Sequence, residues 1–507
     1  MTDVLPTDDA DDGRIQDLRA DLAEAGYAVE TLDDLLGPAA GAALHRDQPM
    51  PARRALAGRE EPAAVLARVF VLGEAVPGPW LDAALPRTGA DGLRDLGLVV
   101  GQDTADRPGP LFEADLDLRP YGDERHTWWV LSDLPETVVG GPLPTHHVLG
   151  VGGASTTLAS WTPRPQVGRA LDLGTGCGVQ ALHLSGHAGE VVATDVSDRA
   201  LRMARFTAAL NGTSLDLRHG SMLDPVAGER FDLVVSNPPF VITPRREGVP
   251  VYEYRDGGRA GDRLVAELVG HVGEHLRPGG LAQLLANWEL AAGEDWAGHV
   301  TGWLEGTGLD AWVVQREEQD VAEYAETWIR DGGHRPGTEE FGSLYAAWLD
   351  DFAGRGVERV GFGVVTLQRP ITDREPWRDL VDVRHPVAAP MGPHVLAGLR
   401  ARTWLAEHGD DELLDVAWQV ADDVTEERIG RPGAPDPQII QLRQGGGLRR
   451  TVRLGTLGAG FVGACDGDLT ARQLCAGLAV LTEADTSAVV AEVLPVLRDL
   501  VKDGLLR

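Results

Sequence analysis

The sequence has 507 residues, 43% of them hydrophobic and 24% charged, the balance of a soluble globular chain too long for one ordinary domain. Acidic residues outnumber basic ones 78 to 46, giving a formal charge of −32; this excludes a generic nucleic-acid binder built on a basic surface and leaves room only for a local basic patch. No apolar run reaches membrane-spanning length, and Cys177, Cys465 and Cys475 lack the C-x-x-C spacing of a disulfide framework or zinc site.

Met1 to Arg14 is acidic and has neither the basic start nor the apolar core of a signal peptide, so a cytoplasmic location is expected. Thr2 to Asp12 reads as a disordered acidic tail. Leu18, Leu22 and Ala25 sit at helical spacing and predict a helix over Ile15 to Ala25. Further short helices are expected over Thr31 to Leu36, Pro38 to His45, Glu61 to Val71, Trp80 to Leu85 and Gly89 to Leu96. A strand-like pair follows, Leu111 to Leu118 and Thr127 to Ser132. Helices ending in a small β-ribbon predict a winged-helix-like N-terminal domain over 1–118. It lacks a dense Arg/Lys helix, so partner docking or substrate presentation suits it better than nucleic-acid contact.

His146 and His147 have no third ligand at suitable spacing, and no metal is expected. From Arg169 an α/β alternation is regular: strands over 170–173, 191–194, 215–218, 231–236 and 281–287, with helices over 178–186, 198–211 and 260–276. A later strand pair falls near 311–316 and 360–368. This is the pattern of a doubly wound α/β sheet. Trp303 falls on an apolar helical pattern and is expected in the core. Two helices, Glu317 to Arg330 and Glu339 to Phe352, are inserted before the last strand, where they either help choose the substrate or simply pack. Ile371 to Pro393 is rich in Pro and Arg and reads as a linker. Beyond it, strands over Gln438 to Leu442 and Arg449 to Leu454 flank Gly445-Gly446-Gly447. The helices Ala471 to Leu481 and Ala488 to Asp503 complete a second winged-helix-like unit, within 371–507.

Two stretches carry the chemistry. Ala170 to Gly178 runs Ala-Leu-Asp-Leu-Gly-Thr-Gly-Cys-Gly, a strand ending in a glycine turn before a helix. Glycines there let backbone and ligand approach closely. The G-x-G-x-x-G dinucleotide pattern is not met, because Val179 stands where Gly or Ala belongs. Asp172 would repel a pyrophosphate and suits an ammonium group instead. Asp195, at the end of the next strand, can accept both hydroxyls of a ribose. The second stretch is Asn237-Pro238-Pro239-Phe240, after the apolar strand Phe231 to Ser236. The Asn237 side-chain carbonyl and the Pro238 backbone carbonyl are two acceptors for the two N–H donors of a planar NH2. Pro238 and Pro239 fix φ and preorganise those acceptors. Phe240 can stack on the flat group.

These motifs resemble those of class I S-adenosylmethionine (SAM)-dependent methyltransferases, and within them the group that acts on planar nitrogen. That group includes release-factor glutamine methyltransferases and rRNA guanine-N2 methyltransferases. The resemblance covers about 119–370. It implies a Rossmann-like, seven-stranded, doubly wound core with a terminal antiparallel strand, flanked here by the two winged-helix-like small domains. It implies SAM as cofactor, contacted by Thr157, Asp172, Gly174, Thr175, Gly176, Cys177, Gly178, Asp195, Val196, Ser221, Met222 and Asn237, and catalysis at Asn237 to Phe240. Cys177 is expected as a small side chain against the ligand. Many relatives have an acidic residue where Ser221 and Met222 stand, so the adenine contact stays open between these and Asp224. Phe240 in place of Tyr is shared with guanine-N2 enzymes, whereas the acidic balance leans towards a protein substrate. Glutamine N5-methylation of a translation factor or ribosomal protein is the expected activity, RNA base methylation at guanine N2 or adenine N6 the alternative, with a small-molecule acceptor or a non-catalytic SAM-binding scaffold ranked behind both. The loop after Phe240 concentrates Arg245, Arg246, Arg255 and Arg259. They either hold an anionic or carbonyl-rich substrate, with Tyr252 and Tyr254 flanking the target, or pair with Glu247, Glu253 and Asp256.

Overall fold

The computed structural model describes residues 12–103, 109–246, 248–433 and 436–507. Most of the tail read over Thr2 to Asp12 lies outside the described residues; Asp12 itself opens a helix, Asp12–Glu24.

The α/β alternation forms one eight-stranded sheet. Its strands are β1 (Val167–Leu173), β2 (Ala188–Asp195), β3 (Asp216–His219), β4 (Phe231–Ser236), β5 (Leu276–Ala291), β6 (Asp310–Asp320), β7 (Val357–Gln368) and β8 (Arg378–Asp382). Their order is β8-β6-β7-β5-β4-β1-β2-β3. The pairs β1–β2, β1–β4, β2–β3, β4–β5 and β6–β8 are parallel. Helices Val179–Ser185 and Asp198–Leu210 make the crossovers from β1 to β2 and from β2 to β3. Strands such as Phe231–Ser236 read as near-continuous apolar runs because a parallel sheet is covered on both faces. The expected seven strands become eight because β8 lies within the stretch read as a linker. It is a short edge strand, partly exposed along its length, and Pro and Arg around such a strand look the same in sequence as a linker does.

The chain divides into two compact units. The first holds the chain up to Leu158, Gln166–Thr307 and Glu318–Phe362. One hydrophobic core runs through it from Ile15, Leu18 and Leu22, past Phe70, Leu93 and Phe112, to Leu182, Met203 and Phe206. The N-terminal helices therefore bury their apolar faces in the same core as the helices that follow β1 and β2. Polar ties run alongside. The Asn211 amide donates to Trp129 O at 2.8 Å and accepts from Trp129 N–H at 3.0 Å. The strand expected over Leu111 to Leu118 is two strands. Leu111–Ala114 pairs with Val99–Gln102 and with Val76–Pro77 in an antiparallel ribbon, and Asp117–Gly122 pairs with Thr127–Ser132. The N–H groups of Asp115 and Leu116 both turn to Leu98 O, and the chain changes partner there.

The inserted helices of this unit are Val321–Asp331 and Glu339–Arg355. The first starts four residues later than expected because β6 runs on to Asp320, whose carboxylate then accepts from Ala322 and Glu323 N–H as a helix cap. Tyr324, Trp348 and Phe352 from these helices form a satellite core with Val241 and Ile242. Trp303, expected in the core, is only half-buried; Trp288 is the fully buried tryptophan of that region.

The second unit holds Ala159–Pro165, Gly308–Glu317 and Gly363–Arg507. Its antiparallel sheet is Val424–Ile429, Ile439–Gln444 and Thr451–Leu454, the last two joined around the glycine run at 445–447. Helices Ala471–Leu481 and Thr486–Lys502 close on a core that includes Leu413, Phe461 and Leu497. No helix among the described residues is long and apolar enough to cross a membrane.

Candidate active site

Register decides where the site lies. Leu173 at the end of β1 is opposite Thr194 of β2 on one side and Ser236 of β4 on the other. The next residues along the three strands, Gly174, Asp195 and Asn237, therefore stand side by side at the sheet's C-terminal edge, where ligands of open α/β sheets bind. The Ser236 hydroxyl donates to Leu173 O at 2.7 Å and ties the two ends together.

The glycine loop is built for close approach. Gly174, Gly176 and Gly178 have φ of 75°, 55° and 90°, a region that favours glycine. The space a Cβ would enter at Gly174 and Gly176 is open for 4 Å, whereas at Gly178 it would meet Ala204. The first two glycines leave room for a ligand; the third allows helix packing. Beneath them Asp172 is buried, its Oδ2 accepting from the Thr175 hydroxyl at 2.7 Å and from Ala181 N–H at 3.0 Å. Burial pushes its carboxyl up to about 7, against the pull of those two bonds. A cation brought to the loop would favour the ionised form. Asp195 accepts Gly176 N–H through one oxygen and Ser197 N–H through the other, each at 2.9 Å. Burial raises its carboxyl also. Cys177 is buried and its thiol is pushed up to about 12 by that burial, so it is a neutral, small side chain.

Around this edge, Val196 stands 56% exposed beside Asp195, an apolar surface next to that carboxylate. Gly220 N–H binds Asp195 O at 2.9 Å, which brings Ser221 and Met222 after β3 to the same side. Ser221 is exposed, and Met222 is held at φ 46°. Thr157 is exposed on the helix Gly153–Trp161, and the Gln180 amide donates to Ser155 O at 2.8 Å, fixing that helix start to the helix after the loop. Sequence reasoning passed over Ser236 and Gln180. The signal was available: each is a buried polar residue in a largely apolar stretch.

Asn237 carries the most telling atom. Its Oδ1 is buried and has no hydrogen-bond partner among the described residues, and a buried acceptor left open needs a reason. Phe240 pairs with Asp256 in an isolated antiparallel bridge and meets the Trp328 ring edge-on at 6.2 Å. The loop that returns from Phe240 is gripped by the inserted helix Val321–Asp331. Ile242 N–H and the Asn287 amide both donate to the Tyr324 hydroxyl at 3.0 Å.

The loop arginines pair within the protein. Arg245 binds Asp256, Arg246 lies 3.2 Å from Asp350, Arg255 2.7 Å from Asp331 and Arg259 3.2 Å from Glu267. Glu247, one expected partner, lies outside the described residues. Tyr252 and Arg255, read as substrate contacts, are buried. The Tyr252 hydroxyl donates to Gly332 O at 3.2 Å, and the Arg255 guanidinium lies 4.3 Å from the Tyr252 ring centre and donates to Trp328 O at 2.7 Å. Both side chains are spent on holding the loop. Tyr254 is half-buried and donates to Asp331 at 3.2 Å.

An open glycine cradle, a buried carboxylate beneath it, a carboxylate at the next strand end and an open buried acceptor fit SAM. Fold and site together define the class, an α/β methyltransferase domain of the SAM-dependent kind. Residues 150–296 match the family described as the methyltransferase small domain. Residues 24–109 and 397–507 match two families described as domains of unknown function, DUF7059 and DUF7782. The chain is similar to the release factor glutamine methyltransferase of Geobacter sulfurreducens, 35% identical over 30% of this chain and 55% of the relative. It is also similar to the ribosomal RNA small subunit methyltransferase C of Sodalis glossinidius, 29% identical over 43% of this chain and 56% of the relative. The chain thus spans about half the length of these curated relatives. Among solved structures, the T. thermophilus 16S rRNA N2 G1207 methyltransferase, in complex with AdoMet and guanosine, matches at 18% identity over 48% of this chain and 62% of that one, with a TM-score of 0.26.

Proposed function

We propose that this protein transfers a methyl group from SAM to a planar nitrogen, and that its acceptor is a glutamine side-chain amide of a protein of the translation apparatus. The observation that carries the reading is the open, buried Oδ1 of Asn237 at the strand end beside the glycine loop. When bound, SAM supplies an electrophilic methyl on a sulfonium centre. Asn237 Oδ1 and Pro238 O accept the two N–H donors of the acceptor NH2 and turn its lone pair towards the cofactor side. Pro238 and Pro239 hold those acceptors without reorganisation. With SAM bound, the transfer would be an in-line displacement governed by positioning, in which the nitrogen–methyl bond forms as the sulfonium–methyl bond breaks and the nitrogen gives up one proton to solvent. Asp195 would take the ribose hydroxyls, with Val196 and one of Ser221, Met222 and Asp224 along the base. Asp172, with Thr175, supports the amino-acid end.

The protein-amide reading is favoured because Arg245, Arg246, Arg255 and Arg259 of the loop each have a carboxylate partner, in a chain of charge −32, a pairing that suits a neutral acceptor better than a phosphate backbone. Phe240 favours the second reading, methylation of an RNA base, since the guanine-N2 enzymes share that residue. The flanking domains are proposed as winged-helix-like modules that present the substrate, in a three-part chain of 1–118, 119–370 and 371–507 working in the cytoplasm.

The test is methyl transfer from radiolabelled SAM into cell extract treated in parallel with nuclease or protease. Label lost to protease alone supports the amide; label lost to nuclease alone replaces it with an RNA base. Asn237→Ala is expected to keep SAM affinity by calorimetry and to lose turnover by roughly a hundredfold. Turnover that survives this exchange would sink the mechanism.

A further inference from the structure

Helix Val321–Asp331 presents Tyr324, Trp328 and Asp331 at intervals of four and three residues, one face of a helix. All three grip the segment that follows Asn237-Pro-Pro-Phe. Tyr324 is fully buried, and its hydroxyl takes two N–H donors from different elements, Ile242 of the loop and Asn287 of β5, each at 3.0 Å. Asn287 is itself buried within the apolar run of β5, so its amide has no water to turn to. One helical turn on, the Trp328 ring meets Phe240 edge-on at 6.2 Å, and the Trp328 carbonyl accepts from Arg255 at 2.7 Å. Asp331 takes the same guanidinium at 2.7 Å. Arg255 O in turn accepts Val241 N–H at 2.8 Å, closing the return of the loop onto its own start.

What the clamp adds is a fixed direction for Phe240 and for the backbone after it, three residues from the open acceptor of Asn237. We infer that this inserted helix positions the acceptor site, with the Tyr324 hydroxyl as its central positioning residue, and that it acts on turnover while leaving the cofactor loop alone. The inference rests on the methyl-transfer reading given above. Tyr324 touches no reacting atom in it. Its hydroxyl collects two donors that would otherwise be buried unpaired, and so couples β5 to the loop.

Tyr324→Phe deletes that hydroxyl and keeps the ring. Three measurements on the full chain decide the matter. Amide hydrogen exchange over 240–256 is expected to quicken roughly tenfold while exchange over 172–178 is unchanged. SAM affinity by calorimetry is expected to stay within about twofold of the parent, while methyl incorporation into extract falls roughly tenfold or more. Trp328→Phe keeps an aromatic edge and is expected to retain most incorporation, whereas Trp328→Ala is not. Unchanged exchange over 240–256 would overturn the clamp. Faster exchange with full incorporation would overturn its role in positioning. Faster exchange over 172–178 as well would show a general loosening and overturn the selectivity. Failure of the parent reading looks different: Asn237→Ala would retain turnover, or the unmodified protein would transfer no label, and the positioning role would fall with it while the exchange data still decided the clamp.

Discussion

Asp172 shows how one side chain serves both structure and ligand. It anchors the turn through the Thr175 hydroxyl and the Ala181 N–H, and burial lifts its carboxyl from 3.8 to about 7. A carboxyl raised on folding contributes stability that is whole below its unfolded value and is lost as pH rises through its folded value. Asp172→Asn removes the charge and keeps an acceptor at the same position. The melting temperature of this variant is therefore expected to gain on the parent as pH rises from about 4 to about 8, while its affinity for SAM falls because a cationic ligand loses its counter-charge. A difference in melting temperature that is flat across that range would remove Asp172 as the titrating group. At this scale the sequence was legible wherever a residue type has one use. Glycines before a helix, a carboxylate at a strand end and Asn-Pro-Pro-Phe each announced their place. It was illegible for Tyr252 and Arg255, because a loop arginine reads alike whether it faces solvent or, as here, three rings and Asp331.

Strands set the distances between those residues. The C-terminal ends of β1, β2 and β4 are level, so three functional positions far apart in sequence become neighbours. Ser236 fixes that alignment with a buried bond to Leu173 O. Ser236→Ala removes the donor and leaves a buried carbonyl short of a partner, at a cost of about 1–3 kcal/mol. Its expected signature is a lower denaturant midpoint with an unchanged slope, which equilibrium urea unfolding measures. An unaltered midpoint would mean that the bond is replaced by water. The alternation of strands and helices from β1 to β5 was plain from period and apolar runs. β8 was hidden, because an edge strand needs only one hydrogen-bonded neighbour and carries too little apolar patterning to stand out among prolines. The late start of the helix at Val321 was hidden too: Asp320 both ends β6 and caps the helix, and acidic residues suit either element.

The N-terminal helices and the helices after the glycine loop bury side chains in one core. Leu18 is fully buried there, and Leu18→Ala is expected to cost about 2–5 kcal/mol. Because the core is shared, the loss falls on the same cooperative transition that SAM raises, which calorimetry with and without SAM reads directly. A SAM-sensitive transition left untouched by this exchange would show that the N-terminal helices unfold on their own. Sequence reasoning found those helices, but the burial that joins them to residues 177–210 depends on contacts between positions more than a hundred residues apart, which no local pattern carries.

That shared core has a genetic consequence. Selection on the methyl-transfer machinery also acts on the helices before Val99, since neither can drift without unpacking the other. A screen for conditional loss of the glycine-loop site would return temperature-sensitive lesions scattered over Ile15–Val99 as well, and gene fusions that borrow only the central segment would start life with an exposed apolar face and a short half-life.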